Sequence, residues 1–270
     1  MTNSETGDER QGVKAFETGL SVLGAFVGLE PSPMLKTLSE RIGMHPAKVH
    51  RYLVSLCRMG YVEQDAASSR YRLGSAALQL GFAAVGAVDV LRVTRPLMAQ
   101  IREDIGSTVL LAIWGSMGPT VALMEAGPGP ITITAAVGTT LPLLRSSTGR
   151  VFAAHLPRSQ TAALLKQELI KLRAQGLTDS PNSLAEMETL FEDVRNRGLA
   201  RVTGQLNKAV HALSAPILDG HGTLSAVLSA VGAAGQFDAS WGGATARTLA
   251  MHAVDLSAKL GHTRIPPLTP

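Results

Sequence analysis

The stretch of residues 34–60 limits the possible folds of this chain more than any other. It predicts a short helix over about 34–42, a tight turn at Gly43 and a second helix from Pro46 to Gly60. Each helix carries an apolar stripe at helical spacing, formed by Leu35, Leu38 and Ile42 in the first and by Val49, Leu53 and Leu56 in the second. Two short helices joined by a glycine turn are typical of a helix-turn-helix.

The flanking residues extend this pattern to a winged helix-turn-helix. Upstream, apolar residues between 13 and 27 recur at helical spacing and predict a helix that ends near Gly28. Downstream, two β-prone runs at 61–65 and 70–73 flank a small polar tip and predict a hairpin. We therefore expect this domain at residues 13–74, preceded by a disordered polar segment at 1–12.

Basic residues are concentrated in this domain. Residues 33–73 contain seven basic and three acidic residues, an excess equal to the formal net charge of +4 for the whole chain. Such a patch in one small domain is typical of contacts to DNA phosphates. The candidate DNA-contacting residues lie on the outer faces of the second helix and in the hairpin: His45, Ala47, Lys48, His50, Arg51, Ser55, Arg70 and Arg72.

Within this set, Lys48 and Arg51 lie toward the start of the helix, where helices of this kind meet base edges. Arginine can bond two acceptors of guanine at once, which makes Arg51 the candidate base reader. Arg70 and Arg72 would lie beside phosphates or in a minor groove. The alternative is that these charges form only a solvated helix face, as most charge runs do.

The rest of the chain predicts a larger α+β domain. An apolar helix over 75–88 leads out of the winged domain and is too short to span a bilayer. Antiparallel strands mixed with covering helices follow. The predicted helices lie at 89–105, 150–156, 160–173, 184–197 and 241–260, and the β runs at 108–114, 120–126, 131–136, 199–203, 210–218 and 223–231.

Other function classes leave no clear pattern. The single cysteine, Cys57, excludes an intramolecular disulfide and a multi-cysteine metal cluster, and the seven histidines lack metal-ligand spacing, so we expect no metal and no cofactor. No nucleophile elbow, phosphate-binding glycine loop or HExxH motif nominates a catalytic residue. A hydrolase built from dispersed residues stays open, as does a winged helix used for protein–protein contact. The polar N-terminus lacks a basic-then-apolar leader, which predicts a cytoplasmic protein without membrane contact.

Several segments together resemble the IclR-type (isocitrate-lyase-regulator-like) transcription factors. They are LKTLSERIGMHPAKVHRYLVSLCRMGYVEQD, YRLG, LPLLRSSTGRVFAA and VHALSAPILDGHGTLSAVLSAVG. Their order and spacing are specific, and the resemblance covers nearly all of 13–261. It implies a winged helix-turn-helix joined by an interdomain and dimer-contacting helix at 75–88 to a GAF/PAS-like effector-binding domain at 89–262, with a tail at 263–270.

The resemblance also implies partners. It implies homodimers that bind double-stranded operator DNA, often paired into tetramers, and a small organic effector, and it favours a regulator over an enzyme. One position departs from the family, since Ala47-Lys48 stands where relatives commonly have Ser-Thr, while Arg51 is retained. The operator sequence therefore does not carry over from relatives.

By the same resemblance, the effector lies against the loop at 141–150 and the later strands. The implied effector-binding residues are Leu143, Ser146, Ser147, Thr148, Val202, Ala212, Ser214, Ser229 and Val231. Relatives that bind small oxoacids tend to be polar at the positions of Val202, Ala212 and Val231, which are apolar here. Because buried polar groups need partners, an apolar lining favours a ligand with an apolar body.

We therefore expect an aromatic or other hydrophobic carboxylic acid as the effector. Its carboxylate would meet the backbone amides of Ser147 and Thr148, with Arg145 nearby. The alternative is that the three apolar residues belong to the core of the sheet and that the pocket lies elsewhere.

Overall fold

The computed structural model describes residues 12–86, 89–128, 135–177, 179–181 and 183–262. The chain divides into two compact units, Met1–Val85 and Gly86–Pro270. Four sequence predictions fall wholly or partly outside the described residues: the disordered segment at 1–12, the end of the helix at 75–88, the β run at 131–136 and the tail at 263–270.

The first unit has the predicted order of a winged helix-turn-helix. Its helices are α1 (Lys14–Gly24), α2 (Leu35–Ile42), α3 (Pro46–Arg58) and α4 (Ser75–Gly86), and strands β1 (Val62–Gln64) and β2 (Tyr71–Leu73) lie between α3 and α4. Gly43 ends α2 at φ 62°, a conformation that glycine adopts without strain. The two strands pair antiparallel, and Val22, Leu38, Val49 and Leu53 fill the core.

The second unit combines an antiparallel sheet with covering helices, as predicted. Its helices are α5 (Asp89–Thr94), α6 (Met98–Ile105), α7 (Ser147–His155), α8 (Arg158–Ala174), α9 (Leu184–Arg197) and α10 (Ala244–Lys259). Its strands are β3 (Thr108–Gly115), β4 (Gly118–Glu125), β5 (Ala200–Thr203), β6 (Val210–Leu218) and β7 (Leu224–Ala233).

One predicted helix is broken. The prediction of a single helix over 89–105 was wrong, because the turn Arg95–Leu97 is a 3₁₀ helix that separates α5 from α6. Pro96 explains the break, since proline lacks the N–H that a continuous helix needs and its ring clashes with the preceding turn.

The sheet lies between two helical layers. Its strand order is β4-β3-β7-β6-β5, with every neighbouring pair antiparallel. Helix α7 packs on one face against β6 and β7, and α10 and α6 pack on the other. Because both faces are covered, β3 is a nearly continuous apolar run rather than an alternating one. No helix in the described part of the chain has the length and hydropathy needed to cross a membrane.

Candidate functional site

Helix α3 presents a cationic outer face. Val49 and Leu53 are fully buried against α1 and α2, so the helix turns Lys48, His50 and Arg51 to solvent. Among the described residues, no carboxylate forms a salt bridge with any of these three side chains. The charges of Lys48 and Arg51 are therefore available to an anionic partner.

Two other predicted contact residues already bond to the helix backbone. The Nδ1 atom of His45 accepts a hydrogen bond from the amide of Ala47 at 3.3 Å, so His45 is the N-cap of α3. The Oγ atom of Ser55 donates to the carbonyl of Arg51 at 3.3 Å. Ala47 is exposed beside Lys48 on the first turn.

The two hairpin arginines are not free cations. Nη1 of Arg70 donates to Oε1 of Glu30 at 3.0 Å and to the carbonyl of Ser32 at 2.8 Å, which ties the hairpin to the loop before α2. Arg72 forms an ion pair with Glu63 on the neighbouring strand at 2.7 Å. The side chain of Arg72 is 66% exposed against 35% for Arg70, so the Arg72 pair is the easier one to exchange for a phosphate.

The second unit contains a cavity of about 510 Å³ between the start of α7 and the sheet. Six of the nine predicted effector residues line it: Ser146, Ser147, Thr148, Val202, Ala212 and Val231. Arg145 lines it too. Much of the remaining wall is formed by Leu110, Leu206, Asn207 and Val210. The sequence did not identify these four residues, because they lie outside the loop at 141–150 and are not among the strand positions that the family resemblance implies.

Strand register places three apolar residues in one row on the cavity floor. Val202 of β5 pairs with Ala212 of β6, which pairs with Val231 of β7. A second row lies on the same face, two positions further along each strand, and is formed by Ala200, Ser214 and Ser229. This face of the sheet therefore changes from apolar at the cavity to hydroxyl-bearing beneath α7.

Ser214 and Ser229 lie behind the cavity wall, which corrects their predicted place in the lining. Both are fully buried and bond to the first turn of α7. The Oγ atom of Ser214 donates to that of Ser147 at 2.7 Å, and Ser229 lies 2.7 Å from Ser214 and 2.8 Å from Oγ1 of Thr148. Leu143 is also outside this lining, since it borders a smaller neighbouring cavity of about 300 Å³.

The start of α7 offers unmatched backbone donors to the cavity. Ser146 is the N-cap, and its Oγ accepts from the amide of Gly149 at 2.9 Å. Among the described residues, no acceptor is bonded to the amides of Ser147 and Thr148, although both residues are almost completely buried. Free amides at a helix N-terminus favour an anion.

Arg145 adds positive charge to the same wall. Its Nη2 atom donates to the carbonyl of Gln205, while its Nε atom is buried without a partner among the described groups. The guanidinium is thus held beside the cavity by the 204–209 loop.

A half-buried carboxylate and a buried guanidinium hold the loop that carries these groups. Oε2 and Oε1 of Glu168 accept from the amides of Leu143 and Leu144 at 2.7 and 3.0 Å, and burial raises the pKa of Glu168 above its ordinary value. Nε of Arg150 donates to the carbonyl of Leu144 at 2.8 Å, and its Nη1 donates to that of Arg201 at 2.7 Å. Burial lowers the pKa of Arg150 to about 10, so it stays charged at neutral pH.

Glu168 was not predicted from the sequence, because a glutamate that follows the polar residues Lys166 and Gln167 resembles a solvated charge. Within the described ranges, no group of three or more histidine, cysteine or acidic side chains could hold a metal ion.

Both units match known family models. Residues 17–66 match the IclR helix-turn-helix domain, and residues 82–258 match the bacterial transcriptional regulator IclR C-terminal domain. The chain is 26% identical over 251 residues to the HTH-type transcriptional regulator KipR of Bacillus subtilis. The aligned region covers 93% of this chain and 98% of KipR.

Solved structures give the same fold. HmgR of Pseudomonas aeruginosa is 39% identical, with a TM-score of 0.59 over 93% of this chain and 99% of HmgR. An IclR homologue from Microbacterium hydrocarbonoxydans, complexed with 4-hydroxybenzoate, is 19% identical, with a TM-score of 0.73 over 91% of this chain and 98% of its own.

Proposed function

Since the chain belongs to the IclR family of bacterial transcriptional regulators, we propose that it senses an aromatic or other hydrophobic carboxylic acid in the cavity of its second unit. It is a DNA-binding regulator rather than an enzyme, as its relatives are. Two finer points are proposals here: the class of effector and the residues that contact each partner.

The observation that carries the effector proposal is the change of chemistry along the cavity floor. At one end, the unmatched amides of Ser147 and Thr148 suit a carboxylate. Beside them, the row of Val202, Ala212 and Val231 suits a ring or alkyl body, because a polar ligand there would lose its hydrogen bonds to water. The Microbacterium homologue complexed with 4-hydroxybenzoate is a protein of the same fold that holds such an acid.

For DNA, we propose that α3 enters the major groove with Arg51 and Lys48 toward the bases. The exposed cationic face of the helix supports this placement. The hairpin would then lie along the sugar-phosphate backbone of the DNA, and Arg72 would replace its ion pair with Glu63 by one with a phosphate.

We further propose a homodimer, which can pair into a tetramer, acting in the cytoplasm. Phe16 of α1 is 66% exposed, and Leu78, Leu80 and Phe82 of α4 are 59%, 59% and 66% exposed. Large apolar side chains on two helices are typical of surfaces that a partner covers. The extents proposed for the parts are 13–74 for DNA binding, 75–88 for the linking helix and 89–262 for effector binding.

A ligand screen tests the effector proposal. Melting temperature is measured with benzoate, phenylacetate, 4-hydroxybenzoate, pyruvate and glyoxylate, because a ligand that binds only the native state raises it. We expect the aromatic acids to stabilise the protein and Val202→Asp to abolish that effect, since it places a carboxylate among apolar groups beside the ligand. Stabilisation by pyruvate or glyoxylate alone would overturn the proposal.

A salt titration tests the DNA proposal. The dissociation constant for a duplex selected from a random pool is measured between about 50 and 200 mM salt, a range over which added salt weakens binding steeply when a protein contacts several phosphates. Binding that is indifferent to salt would instead indicate a winged helix that contacts protein.

A further inference from the structure

Two buried hydroxyls of α7 and two of the sheet form a chain whose direction can be deduced. The heavy-atom geometry of the pair makes Ser214 the donor to Ser147. A hydroxyl has one hydrogen, so Ser214 has none left for Ser229. Ser229 must therefore donate to Ser214, and Thr148 must donate to Ser229.

This direction leaves one hydroxyl hydrogen over. The chain runs from Thr148 through Ser229 and Ser214 to Ser147, whose oxygen receives the last bond. Among the described groups, no acceptor is bonded to the hydroxyl hydrogen of Ser147. Ser147 lines the cavity on the same turn as the two unmatched amides.

We propose that this hydroxyl chain makes Ser147 a fixed hydrogen-bond donor to the ligand, so that the head-group site selects an ionised carboxylate over an uncharged amide of the same shape. The inference rests on the proposed function and adds the residues that set its selectivity. Ser147 touches the ligand, while Ser214 and Ser229 are positioning residues on β6 and β7.

The donor inventory explains the selectivity. The two amides and the Ser147 hydroxyl supply three donors, and a carboxylate is an acceptor at both oxygens. A primary carboxamide has only one oxygen, and its NH₂ group would face a donor, which leaves buried groups unpaired. Hydrogen bonds in a chain also polarise one another, so the bond that Ser214 donates strengthens Ser147 as a donor.

The test compares acids with their amides. Dissociation constants are measured by calorimetry on the full chain for benzoate and benzamide, and for phenylacetate and phenylacetamide. In the wild type we expect each acid to bind at least about tenfold more tightly than its amide. In Ser214→Ala we expect that ratio to fall by roughly an order of magnitude, because Ser147 is no longer held, with a smaller fall in Ser229→Ala.

A double-mutant cycle separates positioning from mere packing. Ser147→Ala removes the donor, so adding Ser214→Ala in that background should change the acid-to-amide ratio no further. Ser257→Ala is the matched control, since Ser257 is a buried serine that bonds to Leu218 on the opposite face of the sheet, and its ratio should equal that of the wild type. If Ser214→Ala does not fold, Ser214→Cys preserves the volume with a weak donor and carries the same expectation.

The failures are distinguishable. Acids and amides that bind the wild type equally, or an unchanged ratio in Ser214→Ala, would overturn the hydroxyl chain and leave the effector proposal standing. Failure of both acids to bind the wild type would overturn the proposed function and this inference with it.

Discussion

The carboxylate of Glu168 on α8 accepts the backbone amide of Leu143 at 2.7 Å. This bond, with a second one to the amide of Leu144, fastens the outer side of the loop whose inner side borders the cavity. The protein thus uses a carboxylate of its own to hold the segment that presents the unmatched amides of Ser147 and Thr148 to the cavity.

Glu168→Ala should remove this fastening. An alanine side chain has no acceptor, so both loop amides lose their partner. We expect the free energy of unfolding at pH 7 to fall by about 1–3 kcal/mol, the cost of an unmatched buried donor. Denaturant titration measures this change, and equal stability of variant and wild type would contradict the anchoring role.

The contribution of Glu168 should also depend on pH. Its pKa in the folded protein lies above the ordinary value of 4.5 because burial outweighs the amide bonds. The native state therefore binds more protons than the unfolded state between 4.5 and the raised pKa, so this contribution to stability is complete below 4.5 and is lost as pH rises through the raised pKa. The difference in unfolding free energy between wild type and Glu168→Ala should shrink as pH rises from 4 to about 8; a difference that grows would contradict this sign.

Gly149→Ala should disrupt the same loop from inside. A Cβ atom at Gly149 would lie 2.6 Å from Cα of Leu143 and would overlap the carbonyl oxygen of Pro142, and both are backbone atoms that cannot turn aside. We expect a loss of about 1–3 kcal/mol in stability and loss of acid binding. Gly242→Ala is the control, since its added methyl meets nothing within 4 Å. Normal acid binding by Gly149→Ala would contradict the close approach.

Arg51→Ala should weaken DNA binding and relax its sequence preference. If Arg51 bonds a base, the loss on the selected duplex should be about 1–3 kcal/mol, with a smaller loss on random duplexes. Lys166→Ala removes a positive charge from an exposed position of α8 and should leave both affinities unchanged. Fluorescence anisotropy on the two duplexes measures the ratio, and a proportional loss on both would place Arg51 on a phosphate.

Substitution of the two hairpin arginines should have different effects, on the stability of the protein at Arg70 and on its affinity for DNA at Arg72. Arg70→Ala removes bonds to Glu30 and to the carbonyl of Ser32, and we expect a loss of about 1 kcal/mol in stability. Arg72→Ala removes only an exposed pair, so stability should change by less than about 0.5 kcal/mol while affinity falls about equally on all duplexes. Thermal melting and anisotropy on both variants check the contrast; the reverse pattern would contradict it.

Local signals accounted for the winged unit. Gly43 and Gly60 adopt the positive φ that ends α2 and α3, and Pro46 suits the first turn of α3, so the predicted ends of both helices agree with the structure to within two residues. Pro96 was a comparable local signal for a helix break. The apolar residues around it recur at helical spacing, and that spacing led to the prediction of one helix where two occur.

The candidate cavity was only partly predictable, because its geometry depends on which strands are neighbours. Alternation along β6 and β7 shows that Ser214 and Ser229 share faces with Ala212 and Val231, but not that α7 covers the serines and leaves the apolar row open. The partnership of Glu168 with Leu143 spans 25 residues and leaves no mark in either local sequence.

The two rows on this face of the sheet separate two tasks. In the proposed binding mode, head-group contacts involve α7 and the two strands behind it, whereas the ligand body meets single side chains at Val202, Ala212 and Val231. New inducers can therefore be explored by substituting three positions while the acid-binding end stays intact. As a scaffold for engineered biosensors, this domain would be diversified at those three codons.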